Sequence, residues 1–77
     1  MNWLPLESSA LSSAAYLTDQ RTLYLKFRSG EIYRYFEFPP EQYSEFVAAD
    51  SKGRYFQFHI RNEFRCEQLP RAHGANE

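Results

Sequence analysis

Cysteine is almost absent from this sequence, since Cys66 is the only one among its 77 residues. A single thiol excludes a framework of internal disulfides, so the chain has to fold by packing alone, which suits a reducing compartment. No apolar run approaches the length of about 18 residues that a membrane-spanning helix needs. Residues 1–9 lack a basic region followed by an apolar stretch, so no secretory signal is visible. We therefore expect a cytoplasmic protein that does not contact membranes.

An excess of positive charge is also missing. The chain has 9 Lys and Arg residues against 10 Asp and Glu residues, and its formal net charge is −1. Modules that bind nucleic acids usually carry a strongly basic balance. The only three glycines are isolated, so the sequence contains no glycine-rich loop for phosphates. A generic polyanion-binding protein is excluded, and any site for anions has to be a local cluster of basic residues.

Aromatic residues, in contrast, are abundant for a chain of this length. The 77 residues are enough for one domain, and 14 of them are Phe, Tyr or Trp. A domain of this size buries only about 60% of the surface that its unfolded chain exposes. Each aromatic side chain can bury about 150–250 Å², so a thin core has little room for all of them. We expect some aromatic surface to stay exposed or to be covered by a partner.

A β-hairpin is the clearest local prediction. Apolar and polar residues alternate over residues 22–27, and a second alternating run follows over residues 32–36. The turn between them has two possible registers, and a slip of one residue would exchange the two faces of the sheet. A two-residue loop would set Leu25 opposite Arg34 and place an unpaired charge among apolar side chains, which costs several kcal/mol.

A three-residue loop avoids that burial, because it sets Leu25 opposite Tyr33 and leaves Arg34 facing water. This loop needs a left-handed residue, and Gly30 tolerates a positive φ. We therefore predict the three-residue loop. In this register one face carries Leu23, Leu25, Phe27, Tyr33 and Tyr35. The other face carries Tyr24, Lys26, Ile32, Arg34 and Phe36.

The remaining elements complete an α+β fold. Residues 10–17 are small and apolar and predict a first strand. Pro39 and Pro40 end the sheet, and helices are predicted over residues 40–49 and 52–64. The predicted architecture is a three-stranded antiparallel β-meander followed by two α-helices packed on one face. We expect three segments: an N-terminal arm (1–8), whose Trp3 docks or stays free, a single domain (9–69) and a mobile C-terminal tail (70–77).

Basic residues cluster on the second predicted helix. At 100° per residue, Arg54, Arg61 and Arg65 fall within about 40° of one another, opposite an apolar stripe that includes Phe56 and Ile60. The planar guanidinium group of arginine matches the geometry of phosphates and carboxylates. The pattern predicts an anion-binding or RNA-binding helix face, which Lys52 would assist. The alternatives are a solvated face with local ion pairs and a protein contact.

The outward face of the hairpin is a second candidate site, formed by Tyr24, Lys26, Arg34 and Phe36. Aromatic rings interleaved with cations occur where sheets stack single-stranded nucleic acids, and Tyr24 or Phe36 would do the stacking here. The same composition is typical of protein interfaces. A third interpretation is that the helices cover this face.

Metal and catalytic chemistry have weak support. His59, Cys66 and His73 are the residues that could bind a metal, and their spacing matches no common motif. On a helix, His59 and Cys66 would stand about 10 Å apart, too far for a hydrogen-bonded nucleophile and base. We expect no metal, no cofactor and no enzymatic activity.

Several short motifs together resemble the KTSC domain, a family named after a C-terminal region of some lysyl-tRNA synthetases and also found as short bacterial proteins. The resemblance covers roughly residues 9–69. It is carried by Leu23-x-Leu25-x-Phe27-x-Ser29-Gly30-x-x-Tyr33-x-Tyr35, Pro39-Pro40-x-x-Tyr43, Ser51-Lys52-Gly53-Arg54-Tyr55-Phe56 and Ile60-Arg61.

The resemblance implies a small α+β domain and supplies no activity to carry over. Two positions depart from the family pattern, since Gln57 stands where asparagine is usual and Phe64 where tyrosine is usual. We expect a non-enzymatic binding module that contacts RNA or another anion. The alternative is a protein–protein interaction module or a homodimer that uses exposed aromatic surface.

Overall fold

Alternating side chains build a five-stranded antiparallel sheet in which the strand order follows the sequence. The computed structural model describes residues 1–70. The strands are β1 (Leu4–Pro5), β2 (Leu11–Leu17), β3 (Thr22–Phe27), β4 (Ile32–Tyr35) and β5 (Cys66–Leu69). The helices are α1 (Pro40–Ala48) and α2 (Lys52–Tyr55), and α2 continues as a π-helical turn (Phe56–Ile60). The predicted α+β class is confirmed, and the predicted number of three strands is wrong.

The hairpin between β3 and β4 has the predicted register. Leu25 lies opposite Tyr33, and Tyr24 lies opposite Arg34. The N–H of Gly30 donates to the carbonyl of Phe27 at 2.9 Å, and Gly30 has a φ of 100°. A side chain at this φ would be strained, so glycine permits the three-residue loop.

The two strands that were not predicted lie at the edges of the sheet. In β1, Leu4 pairs with Ala14 and Pro5 pairs with Ser13. This strand has only two residues, and one of them is a proline without a donor, which restricts it to an edge. β5 pairs with β4 along its whole length, yet three of its four side chains are exposed. Neither segment has the apolar alternation by which strands are recognised.

The core fills the space between one sheet face and the helices. Leu23, Leu25 and Tyr35 point from the sheet toward Phe46 of α1 and Ile60 of the π-helical turn, and all five are buried. Other buried members of this cluster are Leu6, Leu11, Ala14 and Phe38.

The first helix agrees with its prediction to within one residue. Pro40 occupies the first turn of α1, where a missing N–H costs nothing, and Glu41 lies in the same turn. In α2, the hydroxyl of Ser51 caps the helix by accepting from the N–H of Arg54 at 3.1 Å. Within the described residues, no helix combines the length and apolar character that crossing a membrane requires.

The second helix is shorter than predicted, and the prediction that it reaches residue 64 is wrong. The N–H of Arg61 donates to the carbonyl of Phe56 at 2.8 Å, which closes a wider π turn. Asn62 then adopts a left-handed φ of 65°, and the chain reverses toward β5. Phe64 therefore packs against Phe38, with ring centroids 4.7 Å apart, from outside the helix. The predicted mobile tail lies, from residue 71 onward, outside the described residues.

Candidate functional site

Within residues 1–70, the helices pack on one face of the sheet only, and we call the other face the open sheet face. The register of the hairpin shows which side chains lie on it. Tyr35 and Phe27 lie on the face that carries the helices, because both contact Phe56 of the π-helical turn. Strand alternation turns their neighbours the opposite way. The open sheet face contains Trp3, Tyr24, Lys26, Ile32, Arg34, Phe36, Arg65 and Glu67. The interpretation that the helices cover the hairpin's outward face is therefore wrong.

Phe36 lies under two cations at the centre of the positive part of this face. The guanidinium carbon of Arg65 is 4.6 Å from the centroid of the Phe36 ring, and that of Arg34 is 5.4 Å away. The N–H of Phe36 also donates to the carbonyl of Arg65 at 2.9 Å, which fixes the two residues side by side. A guanidinium that stacks on a ring keeps its in-plane N–H groups available for an anion.

Arg34 has the single ion pair within 4.0 Å that the described residues form, and its partner is Glu67. Its Nε donates to Oε1 of Glu67 at 2.7 Å, and its Nη1 is 3.5 Å from the hydroxyl of Tyr24. The hydrogen bonds to Tyr24 and Glu67 raise the pKa of Arg34. Arg34 is therefore charged but partly neutralised by its partner.

The N-terminal segment covers the other end of the open sheet face. Trp3 packs edge-on against Tyr24, with ring centroids 6.5 Å apart, and Nζ of Lys26 lies 4.7 Å from the centroid of the Trp3 ring. As a result Tyr24 is only 8% exposed and offers little ring surface for stacking. Trp3 and Phe36 are half-buried, and each has a cation over its ring. Of the two expectations for Trp3, docking is confirmed, although a strand as short as β1 does not reveal that Tyr24 is its partner.

The charges on the open sheet face do not cancel. All three cation–π contacts found among residues 1–70 lie on it, and they involve Lys26, Arg34 and Arg65. Within the same residues, Lys26 and Arg65 have no carboxylate within 4.0 Å, whereas Arg34 has one. The surface is thus locally positive on a chain whose net charge is −1.

The other predicted basic residues do not all share one surface, although Lys52 and Arg54 line one cleft together. Because the helix ends at Ile60, Arg65 leaves the helix and joins the open sheet face, so the prediction of one arginine face is wrong. Arg61 lies near Gln57, with Nη1 3.5 Å from its Oε1, and it lines a cleft on the helix side. Nζ of Lys52 donates to the carbonyl of Ala49 at 2.8 Å, and Arg54 is exposed on α2.

The residues weighed for metal binding are not assembled into a site. In the part of the chain that the structure describes, no group of three or more His, Cys, Asp and Glu side chains could hold a metal ion. His59 instead packs against the ring of Tyr55 at 4.6 Å, and Cys66 begins β5 as an exposed thiol. His73 lies outside the described residues.

Comparisons with known proteins agree on one family. Residues 7–64 match the model of the KTSC domain. A protein of Tsukamurella paurometabola is 38% identical over 65 residues, which are 84% of this chain and 97% of that protein. The crystal structure of a KTSC domain protein from Yersinia pestis superposes with a TM-score of 0.87 at 33% identity, over 90% of this chain and 97% of the other.

Longer proteins also contain a matching region. A lysine–tRNA ligase of Nostoc punctiforme is 36% identical over 63 residues, which are 82% of this chain but 11% of the ligase. The resemblance seen in the motifs of the hairpin, the Pro39-Pro40 segment and α2 is therefore confirmed over most of the described residues. The chain belongs to the KTSC domain family.

Proposed function

We propose that this protein is a non-enzymatic binding module that contacts the phosphates of RNA through the open sheet face. The observation that carries the proposal is the position of Arg65, whose guanidinium stacks on Phe36 and has no carboxylate within 4.0 Å among residues 1–70. An arginine held in this way is already oriented, so less side-chain entropy is lost when it binds an anion.

The chemistry of the face fits RNA better than an isolated phosphate. Lys26 and Arg65 supply two separated cations, and Trp3 and Phe36 supply half-buried rings beside them. Proteins that bind single-stranded or looped RNA stack bases on aromatic rings and on guanidinium planes, so a base could stack on the guanidinium of Arg65 that covers Phe36. Because the net charge is −1, the chain as a whole does not attract RNA, and we expect modest affinity at physiological salt.

The name of one relative also supports RNA binding. The lysine–tRNA ligase that contains a matching region acts, by its name, on a tRNA. This chain spans 11% of that enzyme, so the ligase reaction itself is no part of the proposal. RNA contact is the property that a small domain could share with a larger RNA-handling protein.

Gel retardation and a salt titration test the proposal. The wild-type protein is mixed with unfractionated tRNA and with short single-stranded RNA at low salt, and the binding constant is followed as salt rises. Each phosphate contact on a single strand contributes about 0.7 to the slope of log K against log salt. Arg65→Gln should lower that slope by about 0.7, because it removes one phosphate contact.

Arg54→Gln is the matched control, since it removes the same charge from an exposed helix residue away from the open sheet face. It should leave the slope unchanged. The proposal is wrong if wild-type protein retards neither RNA at low salt, or if the two variants weaken binding equally. Equal effects would mean that only the total charge matters.

A homodimer is the second candidate, and the edge of β5 favours it. β5 is the last strand of the sheet and, among residues 1–70, pairs with β4 alone, so its outer edge can accept a further strand. Phe58, which is 68% exposed, is a separate apolar contact. Light scattering at micromolar concentration tests this candidate. Twice the chain mass of 9.2 kDa would support it, and a single-chain mass would exclude it.

A further inference from the structure

A cleft with a volume of about 340 Å³ lies on the helix side of the sheet, between the hairpin and the π-helical turn. Its lining includes Phe27, Tyr33, Tyr35, Phe56, Arg61 and Cys66. This volume falls within the range of small-molecule sites, which is about 300–1,000 Å³. The cleft is separated from the open sheet face by the sheet itself, so it can bind a ligand independently of RNA.

Four aromatic rings form a continuous wall of the cleft. Phe27 meets Phe56 edge-on at 5.4 Å and Tyr33 edge-on at 5.8 Å, measured between ring centroids. The ring of Tyr35 contacts both of the remaining rings, with its centroid 6.1 Å from that of Phe56 and 6.4 Å from that of Tyr33. Each ring is held by two others, so the wall is preformed. A flat apolar group is the natural occupant of such a surface.

The hydroxyl of Tyr35 is the unusual group in this wall. Tyr35 is 4% exposed, and no hydrogen bond formed among residues 1–70 involves its hydroxyl. Its neighbour Tyr33 differs, because its hydroxyl lies 3.3 Å from Oε1 of Gln68. Buried polar groups in folded proteins are nearly always hydrogen-bonded, and one without a partner calls for an explanation.

Tyr35 shares the lining of the cleft with the polar residues Arg61, Cys66 and Glu31. Burial raises the pKa of Tyr35, the nearby Cys66 and Tyr33 raise it further, and Arg61 opposes them. The phenol is therefore neutral at physiological pH and available as a donor. Among the lining residues, Arg61 contributes a positive charge and Glu31 a negative charge.

We propose that the cleft binds a small organic acid with a flat apolar body and one carboxylate, which accepts from the Tyr35 hydroxyl and faces Arg61. The body of the ligand packs against Phe27 and Phe56. Glu31 selects against a second negative charge, because like charges repel at short range. The π-helical turn helps to form the cleft, because it brings Phe56 and Arg61 to the same site. Such turns are frequent at functional sites.

Binding of phenylacetate, followed by two-dimensional NMR of the full chain, tests this proposal. The matched ligand control is phenylacetamide, which has the same ring and no charge. Phenylacetate should shift the amide signals around the cleft and bind about tenfold or more tightly than the amide, as is typical when a charged hydrogen-bond partner is lost. Its affinity should fall by a similar factor in Tyr35→Phe and in Arg61→Gln.

Tyr43→Phe is the matched protein control, because Tyr43 is a half-buried tyrosine on α1 outside the lining of the cleft. It should bind phenylacetate as the wild type does. Tyr35→Phe removes a hydroxyl without a partner, so the variant should fold normally, which the dispersion of its spectrum checks. Equal binding of the acid and the amide, unchanged affinity in Tyr35→Phe, or no shifts at millimolar phenylacetate would each overturn the proposal.

Discussion

Substitution of Asn62 tests the chain reversal that separates Arg65 from the second helix. Asn62 is exposed and has a φ of 65°, directly after the π-helical turn. In this conformation a residue with a Cβ is less stable than glycine by about 1–2 kcal/mol, and asparagine is better tolerated than most. Glycine also loses about 0.4–1 kcal/mol more chain entropy on folding, which offsets part of that gain. We therefore expect Asn62→Gly to be about 1 kcal/mol more stable than Asn62→Ala.

The opposite order is expected if the helix continues to residue 64. In a helix interior, alanine is more stable than glycine by about 1 kcal/mol. The two variants are compared by urea unfolding and by heat, where about 1 kcal/mol corresponds to roughly 4–8 °C in a domain of this size. A more stable alanine variant would refute the reversal and, with it, the placement of Arg65 on the open sheet face.

Three further predictions concern the hairpin, the core and the buried tyrosine. Gly30→Ala should lower the free energy of unfolding in urea by about 1–2 kcal/mol, because residue 30 has a φ of 100°; an unchanged value would contradict the three-residue loop. Phe38→Ala removes a fully buried ring and should lower the free energy of unfolding in urea by about 3–5 kcal/mol. Phe58 is exposed, so Phe58→Ala should change it by less than about 0.5 kcal/mol. Similar losses in the two variants would contradict the assigned core. The pKa of Tyr35 is raised above 10.0, so the unfolded chain releases that proton first and stability should fall as pH rises past this value. Urea titrations on either side of pH 10.0 should show a shallower fall in Tyr35→Phe, and an identical fall would exclude a buried neutral phenol.

The hairpin could be predicted because two physical constraints acted on the same residues. Alternation defined the two strands, and the cost of burying Arg34 selected one register from two. Gly30 then satisfied the turn that this register requires. The placement of Tyr24, Lys26, Arg34 and Phe36 on one face followed from that register and is confirmed.

The end of the second helix was missed because its signal is weak: Asn62, rather than glycine or proline, adopts the left-handed conformation at the reversal. Residues 61–69 contain neither proline nor glycine, and the apolar spacing of Phe56, Ile60 and Phe64 continues past the true end. Phe64 reaches the core by a different route, since it packs on Phe38 after the chain has reversed. A periodic pattern therefore persisted where the backbone was no longer helical.

The edge strands were missed because their stability depends on partners distant in sequence. β5 has exposed side chains and is held by its ladder to β4. β1 has two residues, and Trp3 beside it finds Tyr24 only after the chain has folded. Because both edges bring side chains to the open sheet face, the sequence could place only part of that surface.

Mapping the RNA contact by NMR tests the central claim most directly. A short single-stranded RNA is added to the labelled full chain at low salt, and the shifts of backbone and side-chain N–H signals are followed. We predict the largest shifts around Lys26, Phe36 and Arg65, with the signals of α2 nearly unchanged. Shifts concentrated in α2 and at Arg54, or no shifts at all, would contradict the account.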